Sequence, residues 1–241
     1  MKKNYLIEVN NLCKNYLIGN FIFPFFLSRK KLKRKKVLAN INFKIKFGEK
    51  VAFLGRNGSG KSTLLKIISR VTVPTKGKVL LRGKVISMLE AGLAFHSELT
   101  ARENIYMNAG LLGASKKEIK NAIPLINQFA ELDEYIDVPV KKFSTGMEAK
   151  LGFSMGIFLN ADLLILDELL SVVDGNFRTK CVNKINSLNI KLNKAIILVS
   201  HNMELVSKIC DRGIVLDKGK IIYDSEIRKA VKFYKKNILK K

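Results

Sequence analysis

The sequence lacks the ingredients of several protein classes. Its three cysteines, Cys13, Cys181 and Cys210, are odd in number, far apart and never spaced as CxxC. Neither a disulfide framework nor a zinc site is indicated, and a reducing compartment is expected. No apolar run reaches the ~18 residues that a membrane-spanning helix needs. The longest, Tyr16 to Leu27, is broken by Asn20 and Pro24. The basic start MKKNYLIEVNN is interrupted by Glu8 and two asparagines, so no secretory signal is expected. Internal repeats and long linkers are missing too. Acidic residues are scarce: 20 Asp+Glu stand against 44 Lys+Arg, a formal charge of +24. Such a field attracts polyanions, whether nucleic acid, an acidic membrane leaflet or an anionic substrate. A Lys- and Asn-rich genomic bias produces the same excess, and the sign alone does not choose.

What is present is enough for a core. With 241 residues, 47% of them hydrophobic, the chain suits one α/β domain with an insertion, or at most two small domains, and a long disordered protein is excluded. Short β-rich runs alternate with helical ones, as in a doubly wound sheet. Strands are predicted at Tyr5–Val9, Ile41–Ile45, Lys50–Leu54, Lys78–Leu81, Lys84–Met88, Asp162–Leu166, Ala195–Val199 and Gly213–Leu216. Between about Leu99 and Asn160 the pattern turns helical, as in Ile105, Ala109, Leu112 and in Leu151, Met155, Phe158. That stretch reads as an inserted helical lobe. Near the end, Ile227, Val231, Tyr234 and Ile238 fall at helical spacing among lysines, predicting an amphipathic helix packed on the domain rather than a membrane anchor. Between Leu17 and Lys36 lies an apolar cluster (Phe21, Ile22, Phe23, Phe25, Phe26) followed by the basic run Arg29–Lys36. It reads first as an enlarged hairpin loop whose aromatics pack on the domain. A greasy and basic element on an anionic membrane face is the other reading.

The chemistry begins at Gly55-Arg56-Asn57-Gly58-Ser59-Gly60-Lys61-Ser62-Thr63, which satisfies GxxxxGK[ST]. Glycines let consecutive backbone N–H groups aim at one anion, and a helix opening at Lys61 adds the positive end of its dipole. Lys61 would reach the β/γ-phosphates and the Ser62 hydroxyl would ligate Mg²⁺. The loop follows an apolar strand and precedes Leu64, Leu65, Ile67 and Ile68, as nucleotide binding requires. A second element, Leu163-Leu164-Ile165-Leu166-Asp167-Glu168, ends a buried strand in two carboxylates. At the carboxyl end of a central strand they would stand in the ligand crevice, Asp167 on Mg²⁺ and Glu168 polarising the attacking water. His201 follows another apolar strand and would reach the same crevice. Ser144, Thr145, Gly146 and Met147 precede a helical run, where they read equally as a plain cap or as an anion-binding helix start.

The order phosphate loop, helical insert, FSTGM, LLILDE, VVD and VSHN resembles the nucleotide-binding subunit of ATP-binding cassette transporters over roughly residues 5 to 225. The resemblance implies an α/β fold: a P-loop NTPase (RecA-like) core with an antiparallel β subdomain and an inserted α-helical subdomain. Core and β subdomain would occupy 1–97 and 161–224, the helical subdomain 98–160 and a terminal helix 225–241. It further implies that Tyr16 stacks on adenine, and that Ser144–Met147 bind the ATP of a second, head-to-tail copy. Asp174 would communicate across that dimer. Two departures from the common pattern stand out. FSTGM replaces LSGGQ, and Glu90 stands where a Mg²⁺-binding glutamine is usual. With AFHSELTAREN and LSVVD, both resemble the branch that exports O-antigen, capsular polysaccharide or teichoic acid. The implied cofactors are ATP and Mg²⁺. The implied partners are a second copy of the chain, a multi-spanning permease and, through it, a lipid-linked glycan, with no nucleic acid and with a peripheral position on the cytoplasmic face of the membrane. An ATPase of a drug or small-solute transporter, or a soluble non-transport relative, are the alternative readings.

Overall fold

A computed structural model describes residues 5–18, 33–88, 95–167 and 173–239. The elements run β1 (Tyr5–Ile18), β2 (Lys33–Lys46), β3 (Lys50–Leu54), α1 (Lys61–Ile68), β4 (Lys76–Leu81), β5 (Val85–Met88), α2 (Ala101–Leu111), α3 (Lys116–Ala130), α4 (Thr145–Phe158), β6 (Leu163–Asp167), α5 (Gly175–Leu192), β7 (Ala195–Val199), α6 (Met203–Ile209), β8 (Arg212–Asp217), β9 (Lys220–Glu226) and α7 (Ile227–Tyr234).

Side-chain alternation along the strands decides the layering. In β3, Val51 and Phe53 face one layer while Ala52 and Leu54 face the other; β6 and β7 split in the same way. These strands belong to a six-stranded sheet ordered β5-β6-β7-β3-β8-β9. Its pairings are parallel except for β8 with β9. One face of the sheet meets α4, α5, α6 and α7 through Phe153, Phe177, Val206 and Tyr234. The opposite face meets α1 and an antiparallel three-stranded sheet, ordered β2-β1-β4, through Leu64, Ile68, Leu6, Ile41 and Phe43. Strands buried on both sides must be apolar throughout, which is why β7 reads Ala-Ile-Ile-Leu-Val with every residue buried. Arg212 rivets the two sheets together. Its guanidinium is bidentate to Asp224, bonds the Glu49 carboxylate and donates to the Lys44 carbonyl. The Asp224 bonds chiefly hold its pKa above the ordinary arginine value.

The helical insert has a core of its own, built from Ile105, Ile119, Ile126, Leu132, Leu151 and Met155. Its entry is knitted by Asn104, which is fully buried. The Asn104 amide donates to the carbonyls of His96, Leu99 and Thr100, and its oxygen accepts from the His96 N–H at 2.7 Å. At the other end of the chain, α7 lies directly on β8. A Cβ at Gly213 would come within 2.5 Å of the Ala230 Cβ, so only glycine admits the helix there. Ile227, Val231, Tyr234 and Ile238 are all buried, as the spacing predicts, and Phe233 stacks on Tyr223 with centroids 4.3 Å apart.

The hairpin departs from expectation. β1 continues to Ile18 and β2 starts at Lys33, so Tyr16 and Lys33–Lys36 sit on paired strands rather than in a loop. Cross-strand pairing carries the ladder past the last buried residues, with bulges between Val9 and Leu12 and between Lys14 and Asn15. β9, which the sequence reading lacks, alternates half-buried and exposed positions and depends on β8 for its register. The Phe21–Phe26 cluster lies outside the described residues.

Candidate functional site

β3 delivers the chain to Gly55 at the carboxyl edge of the parallel strands, and the loop turns back over that edge into α1. Glycine is required there for two different reasons. A Cβ on Gly55 would fall 2.5 Å from the Leu216 carbonyl oxygen and 2.5 Å from Ser59 Oγ. Gly58 and Gly60 instead have φ of +78° and +107°, a region that strains other residues. Lys61, 9% exposed, folds back so that its ammonium donates to the carbonyls of Gly55 (2.6 Å) and Arg56 (3.1 Å). Helices α2 to α6 each open on a side-chain cap, from Thr100, Ser115, Ser144, Asp174 and Asn202. α1 opens on Gly60 with no side-chain cap, and the first-turn N–H groups of a helix have no acceptors within the helix itself. Ser59 is buried to 4% exposure, its Oγ tucked against Gly55 on the inner side of the loop. A cleft of about 560 Å³ opens over these atoms, lined by Asn57, Gly58, Lys61, Ser62 and Thr63 among others. The uncapped helix start, the glycine turns and the lysine together form the donor set of a cradle for a phosphate chain.

The register of the sheet brings further residues to the same edge. Ala52 pairs with Leu198, and Asp167 with Val199. Ser200 and His201, which follow β7, therefore leave the sheet level with Gly55 and just beyond Asp167. His201 is exposed there. Asp167 closes β6 by its backbone; its side chain, Glu168 and Glu90 lie outside the described residues. Met88, the last residue of β5, pairs with Leu166, so β5 ends at this same edge.

Other expected site residues stand apart from the cleft. Ser144 caps α4, its Oγ accepting from the Met147 N–H at 3.2 Å, while Thr145 is exposed and Gly146 and Met147 are half-buried. Asp174 caps α5: one carboxylate oxygen accepts from the Phe177 N–H at 2.7 Å, and the other pairs with Lys150 of α4 at 3.0 Å. The Phe177 amide, and then Lys150, hold the Asp174 carboxyl below its ordinary pKa. Tyr16 does not line the cleft, but it pairs in register with Lys35, which does. The Lys14 ammonium sits 4.8 Å from the centre of the Tyr16 ring.

Sequence reasoning missed one supporting element, the turn Lys218-Gly219 between β8 and β9. Both residues have positive φ, +45° and +76°, as in a two-residue hairpin turn. The Gly219 N–H donates to the Ser59 carbonyl at 3.0 Å, and the Gly219 carbonyl accepts from the Ala39 N–H at 2.8 Å. The turn thus ties the phosphate loop to β2. The Lys-Gly pair between two apolar runs was the available signal, but nothing local says what the turn touches. Lys194 is a second omission. It is 3% exposed, and its ammonium donates to the carbonyls of Gly156, Ile157 and Leu159, each at 3.1 Å, at the end of α4. Burial pulls its pKa down to about 8. Cys181 and Cys210 are buried free thiols whose pKa values burial pushes up, as expected of inert core cysteines.

Comparison with known proteins gives concordant matches. The ABC transporter family model matches residues 38–171. The O-antigen export system ATP-binding protein RfbB of Klebsiella pneumoniae is 42% identical over 240 residues, which is 95% of this chain and 97% of that protein. The teichoic acids export ATP-binding protein TagH of Bacillus cereus is 34% identical over 96% of this chain, which spans 43% of that longer protein. Among solved structures, a dimeric post-hydrolysis ATP-binding cassette bound to ADP and Pi superposes with a TM-score of 0.78 at 22% identity, covering 92% of this chain and 99% of that one. At that identity the likeness establishes the fold: a P-loop NTPase cassette with an antiparallel sheet and a helical insert.

Proposed function

The chain belongs to the ABC transporter family, and on that premise we propose that it is the ATP-binding and ATP-hydrolysing subunit of an exporter moving a lipid-linked polysaccharide or polyol phosphate across the cytoplasmic membrane. The observation that carries the ATPase reading is the cradle at Gly55–Thr63, with its positive-φ glycines, its buried Lys61 and its uncapped helix start over one cleft. The names of the relatives, O-antigen and teichoic acid export proteins, support the cargo class. Among the described residues no helix is long and apolar enough to cross a membrane, so translocation is assigned to a separate permease.

In this mechanism the loop amides and Lys61 bind the β- and γ-phosphates, exchanging Lys61's bonds to Gly55 and Arg56 for bonds to phosphate oxygens. Tyr16 stacks on the adenine. Ser62, Asp167 and Glu90 offer the hydroxyl and carboxylate oxygens suited to Mg²⁺. A bound Mg²⁺ would supply charge neutralisation across the β- and γ-phosphates. Glu168 takes the proton of the attacking water, and His201 keeps that water and the γ-phosphate aligned. Ser144–Met147 reach the nucleotide of a second copy, while Asp174 senses it through the α5 cap. Two copies closing on ATP and opening after hydrolysis would drive the permease.

Glu168→Gln is expected to bind ATP, to dimerise on it and to turn over very slowly, measured by phosphate release and by size-exclusion chromatography. Unchanged steady-state turnover overturns the role of Glu168. Lys61→Ala is expected to lose Mg·ATP affinity; parental affinity there sinks the nucleotide reading itself. For the cargo, a deletion strain should hold its polymer on the cytoplasmic side, and normal surface polymer rejects export.

A further inference from the structure

The phosphate cleft holds more positive charge than its loop supplies. Besides Lys61 it is lined by Lys35, Lys36 and Lys218, and among the described residues none of its lining is acidic. The three lysines come from two distant parts of the sequence, the start of β2 and the β8–β9 turn. Three backbone segments converge to bring them together. The Val37 carbonyl oxygen would lie 2.2 Å from a Cβ on Gly219 and 3.1 Å from one on Gly60, so β2, the turn and the phosphate loop touch where only glycine fits. Lys36 and Lys218 are the immediate neighbours of those touching residues, Val37 and Gly219. The hydrogen bonds from Ala39 to Gly219 and from Gly219 to Ser59 fix the arrangement to the loop. Position is therefore set by rigid backbone, while the exposed lysine stems remain free to follow a ligand.

We propose that Lys35, Lys36 and Lys218 form a cationic rim that binds the polyphosphate tail of the nucleotide by charge, so that this chain selects nucleotides by their phosphate count more strongly than by their base. The inference rests on the nucleotide reading of the loop and adds residues outside it. Four lysines around one cleft add positive potential on the side of the phosphates away from the proposed Asp167 and Glu168, which favours a triphosphate over a monophosphate and weakens as salt screens it. Adenosine, carrying no phosphate, gains nothing from the rim.

The test measures binding of ATP, ADP, AMP and GTP by titration calorimetry at about 50 and 300 mM salt, spanning a severalfold change in screening. The parent is compared with the triple variant Lys35→Ala/Lys36→Ala/Lys218→Ala, with the single charge reversal Lys218→Glu, and with Lys61→Ala. All three rim positions are exposed or in a turn, and circular dichroism checks the fold. The rim predicts that the triple variant binds ATP roughly tenfold more weakly at low salt. It predicts a smaller loss for AMP, a flatter salt dependence and a parent that takes GTP within a few-fold of ATP. An unchanged ATP affinity and salt slope in the triple variant, with Lys61→Ala still impaired, overturns the rim and leaves the loop reading intact. Should Lys61→Ala bind as the parent does, the loop reading itself fails. Should the triple variant lose binding to anionic phosphatidylglycerol vesicles while its ATP affinity stays parental, the lysines serve a membrane and the rim is rejected.

Discussion

Replacing Gly219 by alanine tests whether the phosphate loop is braced from a turn 160 residues away. A Cβ at this position would lie 2.2 Å from the Val37 carbonyl oxygen, 2.9 Å from the Val37 carbonyl carbon and 3.3 Å from the Leu38 Cα. All three atoms are backbone, so no side chain can swing aside. Relief requires a movement of roughly 1 Å between β2 and the turn, against the bonds from Ala39 to Gly219 and from Gly219 to Ser59. The positive φ of +76° adds its own strain for a residue with a Cβ. Overpacking of about 1–3 kcal/mol and left-handed strain of about 1–2 kcal/mol sum to roughly 2–5 kcal/mol. For a chain of 241 residues that is a fall in melting temperature of about 5–15 °C. Gly58→Ala is the control. Its φ of +78° is nearly the same, but nothing lies within 4 Å of the added Cβ, so only the strain of about 1–2 kcal/mol remains, roughly 2–8 °C. Calorimetric scans of both variants, with ATP titrations alongside, separate the two terms. Gly219→Ala should also loosen the Ser59 tether and weaken ATP binding. If it melts within about 2 °C of the parent, or if both variants cost the same, the bracing argument is wrong.

Other expectations follow from single groups. Asn104→Ala strands the His96 N–H and removes the donor to three carbonyls inside the lobe, so chemical denaturation should reveal a loss of about 2–4 kcal/mol; a loss below about 1 kcal/mol would contradict the network. Lys194 has a folded pKa of about 8 against an ordinary 10.5, so between those values the unfolded chain binds more protons and stability rises with pH. The parent should therefore gain on Lys194→Met by something on the order of 3 kcal/mol across that window, and a constant difference between the two denaturation curves refutes the burial argument. Asp174 has a carboxyl held below its ordinary value, chiefly by the Phe177 amide; its stabilisation is present above the unfolded pKa and lost as pH falls through the folded one. Asp174→Ala, which removes cap and ion pair, should melt below Asp174→Asn, which keeps the cap, and the reverse order in a thermal scan excludes the capping role.

How far the sequence could be read depended on whether the interaction was local. Gly55–Thr63 were legible because each residue type answers to the turn, the helix start or the anion within nine consecutive positions, and the apolar runs on either side announce β3 and α1. The same holds for β6, β7 and α7, whose patterns are set by burial on known faces. Lys218 and Gly219 were not legible as part of the site, since their partners Ser59, Val37 and Ala39 are remote and two-residue turns occur in any hairpin. The length of β1 and β2 was underread because their outer halves are held by pairing with one another, as in Tyr16 opposite Lys35, without the buried alternation that marks a strand. Ser144 illustrates a third case: its local chemistry fits a cap and an anion site equally, and the bond to Met147 fills the capping role in the single chain.

The attachment of the helical lobe follows from the same hierarchy of local and remote forces. α4 is apolar around most of its circumference, and its residues divide between two cores: Phe153 and Ile157 pack toward the sheet, Leu151 and Met155 toward the lobe. A helix shared in this way cannot slide freely against either. Its two ends are secured by bonds of different kinds. Near the start, Lys150 pairs with Asp174 and Glu131, and Glu131 also holds Lys180; the acidic partners are half exposed, so water competes for each charge and such pairs reform at little cost. At the end, three carbonyls converge on the Lys194 ammonium, out of reach of solvent, and breaking that set leaves a buried charge unsatisfied. Any rotation of the lobe against the sheet therefore costs least where it leaves the Leu159 end in place and swings the Ser144 end, exchanging exposed ion pairs rather than buried hydrogen bonds. The cap that introduces Ser144–Met147 stands at the compliant end of α4, and the helix that carries it is pinned at the other.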